Sequence, residues 1–357
     1  FVASVILLGL TPELIHKSML VGTVCLAGLS MHFLLANNHV KNVAAILASI
    51  LYMSPPIFLD WLFCFGPAGI VVVYALFPLG LLLFRRSIAS RNRTGYGILC
   101  GITVVNVYPL YGISLLGSFL AVYSLYNVVI SSNRGRTARL FGRSLLIIIL
   151  IVGLSQMRSI LFAFANPWQG QLLSAIREVP FYPISFIEGA RLGGFYLRIY
   201  EDLLLRTPGS LVASFVYPAL AFAAPLVGNR RRDLIFYSLA AIISIGFYGL
   251  PVGWYLVQNN IVFLGIFRDL SRVLLIASFC VCVLFAMLVD SMYCRLKSCR
   301  RKVSALALVL LMVISYVFPL LCGQMATKEG IVNFTWPAGY ENAFRFVREK
   351  GSNQKVL

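Results

Sequence analysis

Four places in this chain set ionisable side chains in or beside apolar stretches: Leu59-Asp60-Trp61, the isolated Arg158, Phe267-Arg268-Asp269-Leu270-Ser271-Arg272, and Glu178, Glu188 and Arg191 in the long segment between two spans. A charge held beside hydrocarbon costs roughly 2.5–3.5 kcal/mol or more unless it meets a partner or a wet cavity, so each is a candidate functional position. Arg268 and Arg272 are four residues apart and share one helix face, a spacing that suits a phosphate or pyrophosphate at a membrane surface, with Asp269 orienting an arginine. The plainer alternative is a pair of arginines snorkelling at a helix start beside Asp269. Arg158 lies about fourteen residues into the apolar stretch 144–164, which at ~1.5 Å per residue is roughly 20 Å from its basic edge. Snorkelling is harder at that depth, so Arg158 reads as a functional group or half of a buried pair. Asp60 is the carboxylate best situated to take a proton from an acceptor hydroxyl. Glu178, Glu188 and Arg191 fall in the long segment 166–207.

Other chemistries leave no mark. There is no Gly-rich phosphate loop, no His-Glu-x-x-His and no Gly-x-Ser-x-Gly. The three histidines, His16, His32 and His39, are scattered, and His32 reads as a hydrogen-bonded packing residue. Cys25, Cys100, Cys280 and Cys282 fall in apolar stretches and act as small apolar residues. Cys294 and Cys299 have no histidine near them, which disfavours a zinc site. Cys64 and Cys322 both fall near the outer face, where geometry decides whether they pair. No metal-ligand set is identifiable, and the need for a divalent cation stays open.

The elements that must position these residues are membrane spans. The 357 residues are 60% hydrophobic and 12% charged, with mean hydropathy +0.88, too apolar for a water-soluble globule. A helix needs about twenty apolar residues to cross a bilayer core. The candidates are 18–36, 42–61, 66–84, 95–110, 112–131, 144–164, 209–228, 233–250, 271–292 and 303–322, and Phe1–Leu10 reads as the tail of a further span, so an upstream segment is expected. Two spans fit between each basic run and the next: Arg85 to Arg93, Arg134 to Arg143, Arg230 to Arg232, and Arg295 to Lys302. With Lys41, those runs hold 17 of the 30 Lys and Arg residues but only Asp233 and Asp290 among the twelve acids. Short Lys/Arg-rich loops stay cytoplasmic. The net charge of +18 is therefore a topology and lipid-headgroup signal rather than a nucleic-acid surface. The expectation is an all-α, multi-pass cell-membrane bundle with Arg-rich loops inside and the C-terminal tail extracytoplasmic.

Residues 1–325 form the transmembrane domain on this reading. Its external loop 166–207 carries Leu192, Phe195, Ile199 and Leu203 at helical spacing beside Arg191, Arg198, Glu201 and Asp202, the pattern of a helix lying in the interface. Residues 326–357 start an extracytoplasmic domain, with a helix expected over 341–349 and a sequon at Asn333-Phe334-Thr335. The four tryptophans all fall on the external side and form an aromatic belt. Pro55-Pro56 and Tyr108-Pro109 break or end helices.

Gly28-Leu29-Ser30-Met31, then Ala44 through Pro55, then Asp60, resembles the early helices of the GT-C glycosyltransferase superfamily, with the look of its YfhO-like and arabinofuranosyltransferase-like members. The segment Phe267 to Arg272 is similar to their Phe-Arg-Glu-Pro-Ser-Arg/Lys stretch, with Asp269 in place of Glu and Leu270 in place of Pro. Trp336-Pro337, a short helix and Lys355-Val356-Leu357 resemble the entry to their external domain. The resemblance covers most of the chain in order of elements. It implies a transferase that takes a sugar from a polyprenyl-phosphate donor and passes it to an extracytoplasmic glycan or glycoprotein acceptor. It also implies that the principal catalytic carboxylate lies in a first external loop upstream of Phe1, leaving Asp60 as the candidate base in this chain. On that reading Arg158, Arg268 and Arg272, with Asp269, form the donor-phosphate group. Two other classes compete: a lipid-linked glycan flippase or transporter, which expects charge along a path from both sides, and a non-catalytic cell-envelope protein.

Overall fold

A computed structural model describes residues 12–55, 57–59, 62, 69–90, 92–106, 110–165, 190–192, 208–227, 231–249 and 271–321. Every regular element among them is a helix: α1 (Pro12–Asn37), α2 (Asn42–Met53), α3 (Ile70–Ala89), α4 (Arg93–Asn106), α5 (Leu110–Ile130), α6 (Arg134–Ala165), α7 (Pro208–Phe222), α8 (Ala224–Val227), α9 (Arg231–Gly249), α10 (Ser271–Arg295) and α11 (Cys299–Leu321). Eight spans among the described residues are long and apolar enough to cross a membrane, and α2 is a shorter apolar helix. The chain is therefore an all-α, multi-pass helical bundle.

The sequence accounts for where the helices stop. The span expected over 42–61 ends at Met53, because Pro55-Pro56 removes two successive N–H donors. A single helical turn follows at 57–59, with the Phe58 and Leu59 amides donating to the Pro55 carbonyl. At the other end of the hairpin, α1 closes with the Val40 amide bonded to the Leu35 carbonyl and the His39 amide to that of Ala36. His39 takes the left-handed conformation, φ 55°, that this closure requires and that glycine usually supplies. Gly69 does supply it at the start of α3, φ 60°. The basic runs, expected in loops, are largely helix ends. Arg85 and Arg86 lie in α3, Arg134 to Arg143 form the first turns of α6, and Arg300 to Lys302 open α11.

Helix α10 is the axis of the molecule. Every residue from Ala277 to Val289 is buried, so its all-round apolar sequence meets protein on every side. It packs against α2, α3, α7, α8 and α9. A second group is built on α6, which packs against α3, α4 and α5, and α3 joins the two groups. On the flank, Gly101 and Gly97 of α4 lie against Ile151 and Ile147 of α6, a close approach that only small residues allow. Large apolar side chains such as Leu150, Leu154, Val303 and Leu308 face outward, as a hydrocarbon solvent permits.

Candidate functional site

The helix ends sort into two sets. At one end, Lys41 donates its backbone N–H to Asp290 Oδ1 at 3.1 Å, and the ammoniums of Lys41 and Lys302 lie over the Tyr293 ring at 4.3 and 5.0 Å. Arg86 Nε bonds to Asn37 Oδ1, Arg143 to Thr94 and Arg295 to the Val227 carbonyl, while the Tyr126 hydroxyl bonds to the carbonyl of Arg232. These contacts gather the basic runs of five turns at a single end of the bundle. Residues 272 and 290 of α10 are about 27 Å apart along the axis at ~1.5 Å per residue, close to a bilayer core.

The opposite end carries the candidate site. Arg272 stands in the first turn of α10, half-buried, with its Nε enclosed. Beside it α7 packs along α10 and holds Arg191 from the long loop. Arg191 Nε donates to Ser214 Oγ at 3.3 Å, and its guanidinium lies over the Phe215 ring at 5.1 Å. Ser214 passes its own proton to the Leu211 carbonyl at 2.7 Å. The next residue, Leu192, is fully buried with φ 58°, and its carbonyl accepts from the Ile57 amide at 3.3 Å. The loop is thus pinned between the proline break after α2 and the second turn of α7.

Beneath lies an uncharged polar network. Tyr52 and Tyr74 stack at 4.1 Å, and each hydroxyl donates to the other's carbonyl, at 2.7 and 2.9 Å. Tyr74 Oη also meets Ser278 Oγ of α10 at 2.9 Å, and Tyr217 Oη meets Cys282 Sγ at 2.8 Å. Ser210 Oγ ties α7 to the Ser315 carbonyl of α11 at 2.5 Å. These bonds hold α3 and α7 against the central helix, and α11 against α7, beneath the cations.

Of the candidate residues, Asp60, Arg268 and Asp269 lie outside the described residues, as do the expected interfacial helix beyond 192, the four tryptophans, Cys64, Cys322 and the domain 326–357. Arg158 falls in α6, whose close neighbours are α3, α4 and α5, whereas Arg272 belongs to the α7–α10 group. The structure holds Arg191 against α7, which packs on the helix that carries Arg272. The pinning of Arg191 was the unread part. Its signal is Leu192, a large apolar residue directly after a cation, and Ser214 in a helix otherwise apolar at that depth. No group of three His, Cys, Asp or Glu able to hold a metal occurs among the described residues. Comparison with protein-family models, curated proteins and solved structures gives no match.

Proposed function

We propose that this chain is a membrane glycosyltransferase that takes a sugar from a polyprenyl-phosphate donor and passes it to an extracytoplasmic glycan or glycoprotein acceptor. The observation that carries the reading is that Arg191, from the long loop, is held against α7, which packs along α10 with Arg272 in its first turn, at the end away from the basic turns. A lipid-phosphate donor needs cations at the interface beside an apolar helical surface for its chain. Arginine suits the first because its planar fork matches phosphate oxygens two at a time, and Val212, Phe215 and Val216 of α7 supply exposed apolar surface for the second. Arg268 and Asp269 extend the same group in the sequence similar to that of GT-C enzymes. Asp60 remains the proposed base within the chain. By the rule for Lys- and Arg-rich loops the basic end is cytoplasmic, which puts the donor site on the outer face.

Photocrosslinking with a diazirine-bearing polyprenyl phosphate tests this on the complete protein in membranes. Crosslinked peptides are expected from the first turns of α7 and α10, weakened in Arg191→Ala and Arg272→Ala and unchanged in Arg136→Ala, an exposed arginine of α6. Crosslinks confined to the basic end would overturn the reading.

A further inference from the structure

We propose that Lys41, Lys302 and Tyr293 hold the phosphate of one anionic phospholipid at the basic end of the bundle, where α2 begins, α10 ends and α11 begins. Tyr293 stands in the last turn of α10, and the ammoniums of Lys41 and Lys302 lie 4.3 and 5.0 Å from its ring centre. The two lysines reach it from separate elements. Lys41 precedes α2 and is fixed by its backbone N–H on Asp290 Oδ1, and Lys302 is in the first turn of α11 with its amide bonded to the Ser298 carbonyl. Neither ammonium has a carboxylate partner among the described residues, since Asp290 meets Lys41 through the amide alone. The ring face attracts each cation weakly at an exposed site, while two like charges brought to one ring repel each other. An anion shared by both relieves that repulsion and supplies the missing counter-charge.

The surroundings select a lipid. Helices α10 and α11 are consecutive, joined by the turn 296–298, yet they approach little; α11 packs on α7 and α2 instead. No residue of α11 from Cys299 to Met312 is buried, so its first turns stand open to the bilayer beside α2. Exposed apolar side chains lead inward from each lysine, Val43 and Ile46 on one stripe of α2, Val303 and Leu310 on one face of α11. Cations at headgroup level above apolar side chains fit a phosphate that carries an acyl chain, whereas a free anion would use the cations and leave the apolar stripes bare. Basic pockets between spans at the cytoplasmic face are a recurrent place for anionic headgroups. Lys41 is exposed and Lys302 half-buried, so the headgroup reaches both from the membrane surface. The site is independent of the proposed transfer reaction, which belongs to the other end.

Native mass spectrometry of the complete, detergent-purified protein tests it, with phosphatidylglycerol, zwitterionic phosphatidylcholine and inorganic phosphate as probes. Phosphatidylglycerol is expected to be retained over phosphatidylcholine, about fivefold more weakly in Lys41→Gln and in Lys302→Gln, and about twentyfold more weakly when both are changed. Lys41→Gln keeps the backbone bond to Asp290 and with it the start of α2. Lys41→Arg and Lys302→Arg, which keep the charge, are expected to bind as wild type does, and so is Arg136→Gln, which removes an exposed cation from α6 at the same end. Equal retention of both lipids, retention unaltered in the glutamine variants, or a loss in Arg136→Gln as large as in Lys302→Gln would overturn the proposal. Release of the lipid by millimolar phosphate would overturn it as well, by assigning the site to a soluble anion.

Discussion

Tyr52 and Tyr74 exchange hydrogen bonds through each other's backbone, and Tyr74, having given its proton to Tyr52, accepts one from Ser278. Tyr74→Phe therefore leaves both the Tyr52 carbonyl and the Ser278 hydroxyl short of a partner in a dry interior. The expected cost is about 0.5–2 kcal/mol, read as a lower Tm for the purified protein. Tyr126→Phe, which loses one bond at an exposed end, is expected to shift Tm less; equal shifts would show that the buried exchange contributes nothing special. Such cross-helix bonds cannot be read from sequence, because tyrosines spaced 22 residues apart carry no sign of their pairing. Arg85 and Arg86 illustrate the limit differently. Both read as topology signals, yet the spacing of Tyr74, Phe77, Leu81 and Phe84 already set Arg85 on the core stripe and Arg86 off it. Arg272 was legible only in its position, as a cation at the mouth of an apolar helix, which is where α10 begins.

At the scale of elements, apolar length and proline placement carried most of the information. Helices stand in all ten expected spans, eight of them long and apolar enough to cross a membrane, and the end of α2 at Met53 follows from the proline pair marked as a breaker. The helices run past their apolar windows at the basic ends, as α6 does from Arg134, because a helix continues into water wherever its residues favour it, while hydropathy sees only the part in hydrocarbon. Which helices would touch was not legible, apart from glycines where backbones approach. A Cβ on Gly101 would come within 2.7 Å of Ile151 Cδ1, whereas one on Gly117 would meet nothing within 4 Å. Gly101→Ala is expected to lower stability by about 1–3 kcal/mol as α4 and α6 are forced apart, and Gly117→Ala to be neutral or to raise it by up to about 1 kcal/mol. Thermal denaturation of the two proteins side by side decides the matter, and the reverse order would contradict the α4–α6 packing.

Across the whole molecule, one buried helix ties together two ends of opposite character. Among the described residues the basic end collects fifteen cations against two carboxylates, and the far end holds Arg191 and Arg272 above an uncharged network. Composition alone foretold a bilayer protein, and the spacing of basic runs foretold that they would share an end, because an even number of spans separates them. The partnership of the long loop with α7 was hidden, since a contact between residues 191 and 214 depends on how the intervening chain folds back. Cys294 and Cys299, both exposed at the basic end, give a direct reading of sidedness. A membrane-impermeant maleimide is expected to label them in inverted vesicles and not in intact cells; labelling from outside would reverse the orientation and move the donor site to the cytoplasmic face. The measurement that bears most directly on the function is transfer of radiolabelled sugar from a panel of polyprenyl-phosphate donors by the complete protein in membranes. Wild type is expected to transfer, and Arg191→Ala and Arg272→Ala to lose roughly tenfold to a hundredfold in kcat/KM at equal expression, the loss of one charge-assisted phosphate contact each. Folded protein that transfers from no donor, or variants as active as wild type, would contradict the account.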